Sequence, residues 1–195
     1  MALYDTPITT LEDAKRYFQA MGCSGFHMCR EYPARYEEFR GLNVSRDLQR
    51  QWAEESVSGT LAELRSGTLD RQRLWAVHSR MTDIVKGWGM TPFLEEVHEV
   101  TCVIESAMPQ RDRMLVAETI VGRQDLSVRP GYIFQSLDAG NEPLARKFAA
   151  QARRLVDQPF PKENPEPLYP GEDLEQRRQC LLANLAATER ACGIE

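Results

Sequence analysis

Long apolar runs, histidine and excess positive charge are all scarce in this chain. Across 195 residues, 24 Lys and Arg face 29 Asp and Glu, a formal charge of −5. Long-range attraction to nucleic acid or to an anionic membrane is therefore not expected. No apolar stretch approaches the length needed to span a bilayer. The opening MALYDTPITTLEDAKRYF has no basic region followed by an apolar core, so no signal peptide is expected. The phosphate-cradling and nucleophile-elbow patterns G-x-x-x-x-G-K-[ST], G-x-G-x-x-G and G-x-S-x-G do not occur, which disfavours the enzyme classes built on them. Cysteine is present but sparse. Cys23, Cys29, Cys102, Cys180 and Cys192 make an odd count of five without dense spacing, unlike a secreted disulfide scaffold. Reduced thiols in a cytoplasmic protein are the expectation.

What the chain does have is helix punctuation. Thr10 precedes LEDAKRYFQAMG, with Glu12 and Asp13 in the first turn and Gly22 as the stop. A second helix, kinked at Pro33, is expected between Ser24 and Gly41. Ser45 can cap RDLQRQWAEE, and SVSG at 56–59 predicts a bend before TLAELRSG. Thr68 is the candidate cap of the next helix, whose stripe is Leu74, Val77, Met81, Val85 and Trp88. Thr91 and Pro92 give the strongest helix start in the chain, with Thr91 at the cap and Pro92 at the first helical position.

The segments EEVHEVTCVIESA and RMLVAETIVG are rich in β-branched residues and allow a hairpin over 96–121. Two helices are preferred, because Phe93, Val97, Thr101, Ile104 and Met108 line one helical face. Further on, a short helix ends at Gly140, and Asn141 and Pro143 start another with the stripe Leu144, Phe148, Ala152 and Leu155. This pair has no second copy, so no repeat architecture is expected. Five prolines between Pro159 and Pro170 forbid regular structure. A last helix carries Leu174, Leu181, Leu182 and Leu185. The fold expected is mainly α, an irregular multi-helix bundle of antiparallel helices, with α+β as the alternative. The expected organisation is a helical domain over 1–157, a proline-rich strap over 158–171 and a C-terminal helix over 172–195 that packs on the domain or on a partner subunit. Trp52, Met81, Phe93 and Phe148 are expected in the core.

Three groups of residues can carry chemistry. Cys23, His27 and Cys29 place two thiols and an imidazole close together, but the spacing is not that of a zinc knuckle and no further ligand pair accompanies it. Packing is the expected role. Glu95-x-x-His98 is half of a di-iron motif, and His98-Glu99 begins a zincin-like HExxH that fails at Cys102. Convergence of Glu95, His98 and His78 would make a site for zinc or iron; a solvated acidic face and a core His78 hydrogen-bonded in place are the plainer expectation. Arg146, Lys147, Arg153 and Arg154 lie opposite the Leu144/Phe148/Leu155 stripe and offer a surface for an acidic partner. Together these readings favour a non-catalytic interaction or scaffold protein without a cofactor, binding another protein, with a homodimer contact or intramolecular docking as the two alternatives for the last helix. A metal-binding protein or metal-dependent enzyme is the alternative, and a cysteine-based redox protein ranks below both.

Overall fold

Side-chain caps mark the start of four of the described helices. The structure, a computed structural model, describes residues 10–20, 46–67, 69–87, 89–122, 131–160 and 170–194. It is 83% helical, with eight α-helices and no strand among the described residues. We number these helices α1 (Leu11–Ala20), α2 (Arg46–Arg65), α3 (Arg71–Thr82), α4 (Leu94–Ala107), α5 (Gln110–Val121), α6 (Tyr132–Asp138), α7 (Glu142–Asp157) and α8 (Leu174–Cys192). At α1, Thr10 Oγ1 accepts the Asp13 N–H at 3.1 Å, as its position before the helix predicts. Asn141 does the same for Leu144 N–H at 3.1 Å, and Asp173 for Gln176 N–H at 3.0 Å. The helix expected over 24–41, with its Pro33 kink, and the stop at Gly22 lie outside the described residues.

Four local expectations are corrected. First, α2 runs unbroken through SVSG, because Val57, Thr60, Leu61 and Leu64 continue its buried stripe and Thr60 Oγ1 bonds back to the Ser56 carbonyl at 2.6 Å. Second, the cap of α3 is Asp70, which accepts from Arg73 N–H at 2.8 Å. Third, Thr91–Phe93 is a turn of 3₁₀ helix, and the α-helix starts only at Leu94. Fourth, Trp52 and Phe93 are half-buried. Met81 and Phe148 are fully enclosed, as expected. The hairpin alternative over 96–121 is excluded: both segments are helical.

The chain divides into two compact units, Met1–Phe93 and Leu94–Glu195. In the first, α1 packs on α2 and α2 on α3. Leu48, Ala53, Val57 and Leu61 of α2 are buried in this unit, as are Leu74, Val77 and Met81 of α3. Ion pairs Lys15–Glu55 and Arg80–Glu63 join neighbouring helices. Beyond α3 the backbone widens into a π-helical turn, Asp83–Gly87, which keeps Ile84 and Val85 in the core.

In the second unit α7 is central, touching α4, α5, α6 and α8. Its sequence explains this. Leu144, Phe148 and Leu155 supply the apolar bulk, while the buried Ala145, Ala149 and Ala152 let neighbours approach closely. Gly131 sits so tightly against the end of α5 that a Cβ there would lie 2.2 Å from the Ile120 carbonyl oxygen. The C-terminal helix α8 packs on α5, α6 and α7 of its own chain, with Leu174, Leu181 and Leu185 buried and Leu182 half-buried. Arg178, 7% exposed, binds the helix to the end of α7 by donating to the Val156 carbonyl at 2.7 Å. Arg177 reaches Glu118 of α5 at 2.5 and 2.8 Å and also pairs with Glu172.

Candidate functional site

The residues of greatest chemical interest sit between α4 and α7. Positions 98, 102 and 105 are spaced by four and three residues, so His98, Cys102 and Glu105 share one face of α4. On α7, Phe148, Gln151 and Arg154 follow at intervals of three and meet that face. Gln151 is fully buried and organises the contact. The Thr101 hydroxyl stands 2.9 Å from Gln151 Oε1 and donates to it. This leaves the Nε2 group to donate to Glu105 Oε2 at 3.2 Å and to Cys102 Sγ at 3.6 Å. Glu105 also accepts a two-pronged bond from Arg154, at 2.9 and 3.1 Å. Partial burial pushes the Glu105 pKa up, but the bonds from Arg154 and Gln151 outweigh it and hold the carboxyl below its ordinary value.

Cys102 Sγ lies 3.9 Å from His98 Nδ1 and 3.8 Å from Nε2. Near-equal distances place the sulfur against the ring as a whole. A thiol in line with one nitrogen lone pair would stand well beyond the other nitrogen. The ring itself meets Phe148 edge-to-face, with centroids 5.0 Å apart, and Phe148 stacks on Tyr132 at 5.3 Å. Both members of the pair are held neutral. Burial and then the Glu105 carboxylate push the thiol pKa up. Burial and then Lys147 push the imidazole pKa down, with Arg154 adding to this and Glu95 and Glu105 opposing it.

Glu95 is exposed and pairs with Lys147 at 3.7 Å, while Asn141 Nδ2 donates to it at 3.3 Å. His78 belongs to the first unit, where it is 5% exposed and meets Trp75 edge-on at 5.4 Å. The hydrogen bond expected for this histidine is missing at one nitrogen: Nε2 has no partner among the described residues. Cys23, His27 and Cys29 lie outside the described residues. The four basic side chains of α7 are exposed, and each faces an acid. Arg146 pairs with Glu142 at 2.8 Å, Lys147 with Glu95, Arg153 with Glu189 and Arg154 with Glu105. Among the described residues no group of three or more His, Cys, Asp or Glu side chains is arranged to hold a metal ion. In the sequence Cys102 stands out as one of five thiols and as the residue that breaks HExxH, and Gln151 does not stand out. The four-residue spacing of His98 and Cys102 was the available signal for the first; nothing local marked the second.

The chain matches no protein-family model, no curated protein and no solved structure.

Proposed function

We propose that this chain is a non-catalytic helical interaction protein whose partner is another protein. The observation that carries the reading is the state of the His98–Cys102 pair. Nucleophilic catalysis by cysteine needs a thiolate and an imidazole in line with it. Here the sulfur stands off both nitrogen lone-pair directions, and the surroundings favour thiol over thiolate and imidazole over imidazolium. The other polar groups around the pair serve packing: Gln151, Glu105 and Arg154 tie α4 to α7. No helix among the described residues is long and apolar enough to cross a membrane. The described cysteines, Cys102, Cys180 and Cys192, are free thiols.

The basic face of α7 retains exposed guanidinium edges beside its intramolecular acids. It is the surface we assign to an acidic segment of the partner, which would compete with Glu142 and Glu95 for those side chains. A partner chain fits better than a second copy joined through α8, because the leucine face of α8 is covered by its own chain. The experiment is cross-linking of the full chain in its native extract, identification of the joined protein, and reconstitution from purified components. The expected result is a stoichiometric complex that weakens with salt and with Arg146→Glu/Lys147→Glu, and is indifferent to Cys102→Ser. Turnover of a substrate by the purified chain that Cys102→Ser abolishes would overturn the reading.

A further inference from the structure

We infer that His98 and Cys102 form a two-donor chelate for a soft or borderline divalent cation such as zinc. A histidine and a second ligand four residues apart project from the same helix face, the spacing that lets two side chains of one helix seize one ion. The structure brings these two side chains together and leaves both half-exposed, so an ion has access from solvent. Zinc lies about 2.3 Å from a thiolate and about 2.0 Å from an imidazole nitrogen. Two such donors can be at most about 4.3 Å apart, and about 3.5 Å apart at the tetrahedral angle. The observed 3.8 Å from Sγ to Nε2 falls between these limits.

Capture needs a side-chain rotation: the imidazole leaves its edge-to-face seat on Phe148 and turns about its Cβ–Cγ bond to bring one nitrogen toward the ion. Cys102 loses its thiol proton to the buffer as the metal–sulfur bond forms, so one proton is released for each ion bound. Gln151 supplies the supporting contact, since its Nε2 already donates to the sulfur that would carry the ligand charge. Glu105 stays with Arg154 and Gln151, and Glu95 stays with Lys147 and Asn141. With two protein donors, fewer than the three or four of catalytic and structural zinc sites, the remaining coordination positions belong to water.

Cobalt(II) is the probe, because its bond to a thiolate gives a charge-transfer band in the near ultraviolet. Titration of the full chain should give that band at one cobalt per chain, with release of one proton, and zinc should remove it by competition. Cys102→Ser should abolish the band. His98→Gln should weaken binding by at least about tenfold. A Cys23→Ser/Cys29→Ser variant should bind like wild type, which separates this pair from the thiols near the N-terminus. Circular dichroism checks that each variant is folded; should Cys102→Ser fail that check, the wild-type and His98→Gln titrations decide. No thiolate band in wild type under excess cobalt would overturn the inference. So would a band that survives Cys102→Ser, or an affinity unchanged in His98→Gln.

Discussion

His78 shows what a single buried side chain does to the stability of this chain. Its position beside Leu74, Val77 and Met81 is legible from helical spacing, and its burial follows from that stripe. The missing partner at Nε2 is not legible, because it depends on what the fold brings near the ring. Burial, and then the charge of Lys86, lower the pKa from 6.5 to about 4. As pH falls below 6.5 the unfolded chain takes up a proton that the folded chain refuses. The stabilising contribution is complete above pH 6.5, declines as pH drops, and is gone once pH is below about 4. Its full size is roughly 3 kcal/mol. His78→Leu should therefore remove about 2 kcal/mol of the stability lost between pH 7.5 and pH 5, read from denaturant unfolding at both values. Parallel curves for the two proteins would place the titration elsewhere. Phe148 is a simpler case. It is fully enclosed, touches His98 and Tyr132, and was marked as core by its place in the α7 stripe. Phe148→Ala should cost about 3–5 kcal/mol, seen as a lower denaturant midpoint, and an unchanged midpoint would contradict its packing.

Among the elements, α7 reads most plainly from sequence and the α4–α5 region least. The α7 stripe repeats at helical period between a capping Asn141 and a break at Gln158, so period and punctuation agree. In α4 and α5 the β-branched residues argued for strands, while buried Val97, Val100, Thr101 and Ile104 follow the helical period. Packing on α7 decides between them, and β propensity is a weak preference against a helical face that the fold buries. The same priority explains α2, where a Ser-Gly interruption yields to a continuous buried stripe. The α5–α6 corner holds a constraint of another kind. Gly131 has ordinary negative φ, so its glycine is required by contact alone. An added Cβ would lie 2.2 Å from Ile120 O, 2.4 Å from Val121 C and 2.5 Å from Gly122 N, all backbone atoms. Gly131→Ala should destabilise the second unit by about 3 kcal/mol, since the α5 end must shift to admit a methyl group. Thermal or denaturant unfolding that matches wild type would show that this corner yields freely.

At the scale of the whole molecule, two cores imply two folding units. Leu94–Glu195 encloses Ile104, Met114, Ile120, Tyr132, Phe148 and Leu185, and its ion pairs at Arg177 and Arg154 close within it. A fragment of these residues should give a strongly helical circular dichroism spectrum and one cooperative transition, whereas a random-coil spectrum would deny it an independent core. The helical class of this unit is legible in the sequence, and its site is not. The His98–Cys102 spacing was visible, yet Gln151 comes from 49 residues away and only the packing of α7 on α4 delivers it. The neutral state of the pair likewise comes from burial, aided at the thiol by Glu105 of the same helix and at the imidazole by Lys147 of α7. That state is the central claim, and the pH dependence of Cys102 alkylation tests it most directly. Iodoacetamide labelling, followed at the Cys102 peptide by mass spectrometry, reads thiolate as it forms. The account predicts negligible labelling near pH 6 and a rate that climbs with pH, with its midpoint above the ordinary thiol value of about 8.5. A fast plateau extending below pH 7 would reveal a thiolate–imidazolium pair and contradict it.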